Sequence, residues 1–217
     1  MTEYTSDEIC EKCLKNKALC VCTDAEPFDN KHFVLIMQHP QEEDKELGTA
    51  GILKSMLKNA KLEVALSRPS LRGIFKCDDE SKINPKKWGT LYLGAQNETP
   101  QEAGLYALSR KGHIEEKSAD ILKSLDGLIV LDGTWKQAKA LWWRNAWLLK
   151  THRLVLVPHA RSLYGKMRKE PRKESISTLE AVAQCLTYLG EDPAIENALT
   201  GAFKQMLDKY KKLRAAR

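Results

Sequence analysis

Several features are missing from this chain of 217 residues. No apolar run approaches the ~20 residues that span a bilayer, so a membrane-spanning helix is not expected. No G-x-G-x-x-G follows a candidate strand, and no G-x-x-x-x-G-K-S/T occurs. That argues against a Rossmann dinucleotide site and against a P-loop nucleotidase. H-E-x-x-H and G-x-S-x-G are also absent, which removes two common hydrolase signatures. There is no internal repeat and no low-complexity tract. The opening residues, MTEYTSDEICEKC, are polar and acidic. They resemble neither a secretory signal nor an Arg-rich transit peptide. A cytoplasmic location with reduced thiols is therefore expected.

Aromatic residues are scarce, at 7%, yet four of the five tryptophans fall in one stretch. That stretch, 126–149, reads DGLIVLDGTWKQAKALWWRNAWLL. Leu128 to Leu131 has the apolar, partly β-branched character of a buried strand. Asp132-Gly133-Thr134 is a sharp polar break. From Trp135 onward, apolar residues recur at helical spacing through Leu149. A strand, a tight turn and a helix follow, and ligands bind at such junctions in open α/β sheets. Asp132 or Thr134 could equally serve as a simple helix cap. Helical spacing sets Trp135 and Trp142 on one face and Trp143 and Trp147 on another. The second face suits base stacking or an interface.

The remaining chain supplies four more candidate strands: His32–Met37, Leu62–Leu66, Gly89–Gly94 and His152–Val157. Amphipathic helices are expected at 49–60, 115–125, 177–189 and 195–214. Five strands separated by helices or long connections predict a mainly parallel α/β sheet with helices on both faces. Polar loops close the strands at Gln38-His39-Pro40, Gly94-Ala95-Gln96-Asn97, Asp132-Gly133-Thr134 and Pro158-His159-Ala160-Arg161-Ser162. Their convergence predicts a cleft. His39 is taken as a cofactor-lining candidate, although a lone histidine is commonly a loop residue. Ser177-Thr178-Leu179-Glu180 has the pattern of a capping box.

Cys10, Cys13, Cys20 and Cys22 stand in C-x-x-C-x6-C-x-C, four of six cysteines within thirteen positions. In a reducing compartment, such clustering points to one structural zinc held by four thiolates. Residues 1–30 are read as a cysteine-rich segment and 31–217 as the main domain. The net charge is +6, with base concentrated in KMRKEPRKE (166–174) and near the C-terminus. A polyanionic partner is expected, with Arg161, Lys166, Arg168, Lys169, Arg172 and Lys173 as candidate RNA contacts.

Asp132-Gly133-Thr134-Trp135 resembles the D-x-T-W signature of the DTW-domain family. The cysteine cluster, the His39-Pro40 loop and Ser177-Thr178-Leu179-Glu180-Ala181, which resembles an S-T-x-E-A element, occur in that family's order. The resemblance implies a SPOUT-like fold with a deep C-terminal knot, and a tRNA-uridine aminocarboxypropyltransferase. Such an enzyme moves the 3-amino-3-carboxypropyl group of S-adenosylmethionine to uridine N3 and releases 5′-methylthioadenosine. It implies Asp132, Thr134 and Trp135 as catalytic residues. His39, Thr49, Leu93, Gly94, Leu131, Pro158, Ser177, Thr178, Leu179 and Glu180 would line the donor site. An Asn-Thr-Gly-like element is expected at the first helix, where this chain reads Gly48-Thr49-Ala50-Gly51. A SPOUT methyltransferase and a non-catalytic zinc-containing RNA-binding module are the alternatives.

Overall fold

The computed structural model describes residues 8–76, 83–91, 100, 102–167 (without the Lys166 side chain) and 176–215. In chain order these give β1 (Phe33–Gln38), α1 (Ala50–Met56), β2 (Ala60–Val64), α2 (Leu71–Phe75), β3 (Trp88–Leu91) and β4 (Gly104–Leu108). They continue with α3 (Ser118–Lys123), β5 (Gly127–Asp132), α4 (Trp135–Arg144), β6 (His152–Val157), α5 (Thr178–Tyr188) and α6 (Pro193–Ala215). The strands form one sheet in the order β2-β1-β5-β3-β6-β4. Every pairing is parallel except β4 with β6.

The apolar strands are covered on both faces, as continuous runs require. Val34, Ile36, Leu128 and Val130 join a core with α1, α5 and α6. Leu35, Met37, Ile129 and Leu131 point the other way and meet α2, α4 and the turn after α4. Alternation along the two central strands thus divides one sheet between two helix layers. Among the described residues no helix is long and apolar enough to cross a membrane.

Three expectations need correction. The sheet has six strands among the described residues, not five, because Gly104–Leu108 pairs antiparallel at the edge. Its sequence, GLYAL, lacks β-branched residues and gave little strand signal. The second strand begins two residues earlier than expected, at Ala60. The tryptophan helix also stops early. Asn145 turns its side-chain amide to the carbonyls of Leu141 and Leu66 at 2.7 and 3.1 Å, and a short 3-10 helix follows at Ala146–Lys150. This change of direction buries Trp147, whose indole N–H donates to the Arg68 carbonyl at 3.0 Å. Trp143 alone keeps the exposed position, at 78%. There is no two-tryptophan outer face, and Leu149 is exposed rather than inward.

Candidate active site

The ends of β1 and β5 lie level, with Gln38 opposite Asp132 in the parallel register. Asp132 is 9% exposed. Gln38 Nε2 donates to Asp132 Oδ2 at 2.8 Å, and the Thr178 hydroxyl donates to Asp132 Oδ1. Both carboxylate oxygens therefore have a side-chain donor, which fixes the group's orientation. The question of which residue caps α4 is settled by geometry. Thr134 Oγ1 accepts from the Gln137 amide at 3.4 Å, and the Thr134 amide donates to Gln137 Oε1 at 2.6 Å. This capping box leaves Asp132 outside the helix start, facing α5. Gly133 is required between them, since a Cβ there would lie 2.9 Å from Gln137 Cβ. Trp135 is half-buried at the first turn of α4.

His39 begins the next loop. Its amide donates to the Asp132 carbonyl at 3.0 Å, and its Nδ1 accepts from the Gln41 amide at 3.2 Å. That ring nitrogen is occupied in a local turn. Thr49 is buried at the head of α1, and its Oγ1 accepts from the Leu179 amide at 3.2 Å. Ser177 and Glu180 make the expected capping box of α5. Glu180 does more than cap: its carboxylate also accepts from the Leu163 amide at 2.6 Å and the Ser162 hydroxyl at 3.2 Å. The Tyr164 hydroxyl donates to the Leu47 carbonyl at 2.7 Å. The loops after β1 and β6 are thereby gathered onto the start of α5, beside Asp132.

Of the other candidates, Leu131 packs toward α4, Pro158 is half-buried at the end of β6, and Arg161 is exposed. The neighbouring His159 is engaged by Glu196 at 2.9 Å and Tyr188 at 3.1 Å. Leu93, Gly94, Arg168, Lys169, Arg172, Lys173 and the Lys166 side chain lie outside the described residues.

The four N-terminal cysteines converge. Their sulfur atoms all lie within 4.8 Å of one another, with Cys10–Cys22 at 4.0 Å and Cys13–Cys20 at 3.7 Å. A tetrahedral zinc with bonds of about 2.3 Å has sulfur–sulfur edges of about 3.8 Å, so the donor set fits that ion. Burial raises the Cys10 thiol, but the amides of Cys13 and Lys12 and the thiols of Cys20 and Cys13 outweigh it and bring it to about 7. The turn is seated on the main domain. A Cβ on Gly51 would lie 2.0 Å from the Cys13 carbonyl oxygen, so this approach admits glycine alone. Lys209 of α6 donates to the Cys20 carbonyl.

The family model for the DTW domain matches residues 7–211, which takes in both the cysteine turn and the strand-end site. The chain belongs to the DTW domain family. It is 29% identical to tRNA-uridine aminocarboxypropyltransferase 2 of Macaca fascicularis, over 88% of this chain and 59% of that protein. It is equally similar to tRNA-uridine aminocarboxypropyltransferase 2 of Drosophila melanogaster, at 29% over 88% of this chain and 70% of that protein. With tRNA-uridine aminocarboxypropyltransferase A of Arabidopsis thaliana it shares 26% over 92% of this chain and 80% of that protein. This DTW domain thus spans about three fifths of the length of the macaque relative. No solved structure matches it.

Two buried polar residues received no role from the sequence. Gln38 gave a faint signal, as the polar residue ending an apolar strand. Lys15, inside the cysteine turn, gave none, yet it is 6% exposed. A third feature concerns charge. From Gly133 to Lys169 the sequence holds nine Lys or Arg and no Asp or Glu. Lys136, Lys139 and Trp143, at helical spacing, are all exposed on α4.

Proposed function

We propose that this DTW domain is a tRNA-uridine aminocarboxypropyltransferase acting at uridine N3 and releasing 5′-methylthioadenosine. The observation that carries the reading is the Asp132 carboxylate: buried, held on both oxygens and set at the end of β5, just before the helix that Trp135 begins. S-adenosylmethionine, as co-substrate, supplies an electrophilic methylene next to its sulfonium. The site offers a matching orphan donor, because the buried Lys15 ammonium has one hydrogen-bond partner among the described residues. His39, Thr49, Leu131, Pro158, Thr178 and Leu179, with Leu93 and Gly94, are the residues that would surround the donor. Ser177 and Glu180 support it through the α5 cap and the 162–163 loop.

Asp132 first orients N3–H as hydrogen-bond acceptor. A carboxylate is a weak base toward an imide, so Asp132 takes the proton late, as the N3–carbon bond forms and the carbon–sulfur bond opens. The electron pair of that bond stays on sulfur, and the proton passes from Asp132 to solvent. Gln38 and Thr178 keep the carboxylate aimed throughout. Trp135 provides the wall on which the uracil stacks. Thr134 holds the turn that separates the two. The basic run at 166–173, Arg161 and the outer face of α4 bind tRNA phosphates.

A structural zinc on Cys10, Cys13, Cys20 and Cys22, a SPOUT-like knotted path after β6 and a cytoplasmic setting belong to the same reading. Glu180, which ties the 162–163 loop to α5, supports a chain folded back at that point. The test is to incubate the protein with tRNA and S-adenosylmethionine and identify the nucleoside released. Methylthioadenosine is expected. S-adenosylhomocysteine would make the protein a methyltransferase, and no turnover with retained tRNA binding would make it a binding module.

A further inference from the structure

The cysteine turn presents an inversion. Leu14, with φ 58°, is 47% exposed, whereas the adjacent Lys15 is 6% exposed. A turn built only to hold metal would put its leucine inside and its lysine in water. The local hydrogen bonds enforce the inversion: the Cys10 amide donates to the Lys15 carbonyl at 2.7 Å and the Leu14 amide to the Cys10 carbonyl at 2.8 Å.

The buried side chain crosses into the main domain. Lys15 Nζ donates to the Lys45 carbonyl at 2.6 Å, and a Cβ on Gly48 would lie 3.2 Å from it. Gly48 precedes Thr49, which binds the Leu179 amide. Leu179 follows Thr178, which binds Asp132. The ammonium thus lies against the loop after β1, near enough to the Asp132 carboxylate for the two charges to interact. Burial pushes its pKa down, while the charges of Cys13, Asp132, Glu46 and Asp44 oppose that effect. None of these carboxylates forms an ion pair with it among the described residues. A buried ammonium with one carbonyl partner retains two N–H groups to satisfy.

We propose that Lys15 holds the carboxylate of the 3-amino-3-carboxypropyl group, so that the cysteine turn contributes a ligand-binding residue to the active site. The inference rests on the transferase reading above. In the transferred group the carboxylate lies three bonds from the carbon under attack, so it must sit close to the reaction centre. Asp132 is already there. Two carboxylates sharing a desolvated site repel each other unless a cation stands between or beside them. Lys15 is the buried cation at that place. A nucleoside lacking the carboxylate gains nothing from it.

The test is calorimetry on the full zinc-loaded chain without tRNA, using S-adenosylhomocysteine, which carries the carboxylate, and methylthioadenosine, which does not. In Lys15→Met the affinity for S-adenosylhomocysteine should fall roughly 10- to 100-fold, the range for a hydrogen bond to a charged group. Affinity for methylthioadenosine and the zinc content should stay unchanged. Lys15→Gln, which can still donate to the Lys45 carbonyl, should show the same selectivity should the methionine variant fold poorly. Unchanged binding of both nucleosides, an equal loss for both, or zinc loss with nucleoside binding intact overturns the proposal. The last result would assign Lys15 to balancing the thiolate charge. A wild-type chain that binds neither nucleoside refutes the donor reading itself. One that binds S-adenosylhomocysteine as tightly as its Lys15 variants do refutes only the role of Lys15.

Discussion

Asp132→Asn separates charge from shape at the centre of the site. The carboxylate now accepts from Gln38 at 2.8 Å and from Thr178. Asparagine offers one acceptor and one amide group in the same space. The Gln38 amide can turn over to present its oxygen, and the Thr178 hydroxyl keeps its acceptor, so both hydrogen bonds can re-form as neutral ones. Charge-assisted hydrogen bonds are about twice as strong as neutral ones, and a neutral bond contributes about 1 kcal/mol net. The expected destabilisation is therefore about 1–2 kcal/mol, or a fall in melting temperature of about 2–8 °C for a chain of this size. The kinetic effect should be larger. Losing a general base costs roughly 10²–10⁴ in rate, equivalent to about 3–5 kcal/mol. Single-turnover assays with tRNA, paired with thermal unfolding and binding of S-adenosylhomocysteine, measure both. Turnover should fall by at least about 100-fold with nucleoside binding retained. A folded variant that binds both substrates and turns over near the wild-type rate would refute the assignment. A large stability loss with proportionate inactivation would make Asp132 a structural residue.

Other outcomes follow from other parts of the fold. Gly51→Ala drives a Cβ against the Cys13 carbonyl, so the cysteine turn should lift off. The expected cost is about 1–3 kcal/mol or more, read by urea unfolding, with faster zinc loss to a chelator. Glu191 is buried and accepts the His32 amide and ring nitrogen at 2.7 Å. Burial raises its pKa, but the His32 and Lys31 amides and the His32 side chain outweigh this and leave it below the ordinary carboxyl range. Its contribution is thus present above pH ~4.5 and lost as pH falls through the folded pKa. Glu191→Gln should be less stable than wild type at pH 7, and the difference should narrow in acid unfolding titrations as pH falls through the folded pKa of Glu191. A gap that stays constant as the solution is acidified would refute the pairing. For the acid-free face of α4, Lys136→Ala with Lys139→Ala should weaken tRNA binding and reduce the slope of log K against log salt by about 1.4–1.8. An unchanged slope would place tRNA elsewhere.

Much of the site was legible because its signals are local. A strand, a polar break and a helix at 126–149 follow from periodicity, and Ser177 with Glu180 spells a capping box. Four cysteines in thirteen positions announce their own convergence. What stayed hidden depends on residues far apart in sequence. Trp147 turns inward because Asn145 reaches the Leu66 carbonyl. Gln38 matters because it faces Asp132 across a parallel pair. Glu180 binds a loop seventeen residues away as well as its own cap. Lys15 defeats the rule that lysine lies in water. The antiparallel edge strand β4 carries little propensity of its own and forms because β6 offers an open edge.

The level ends of β1 and β5 set a counting rule for how this gene can change. Residue 132 faces α5 because it lies an even number of steps from Leu128 and Val130 on the same side of the sheet. Substitutions within β5 alter packing but leave that parity alone. Loss or gain of one codon between Gly127 and Leu131 would turn the carboxylate to the α4 side, away from Thr178, and expose a neighbour in its place. Length changes in the loops before β5 carry no such penalty. Natural insertions and deletions should therefore accumulate outside the strand, and those that persist inside it should come in pairs.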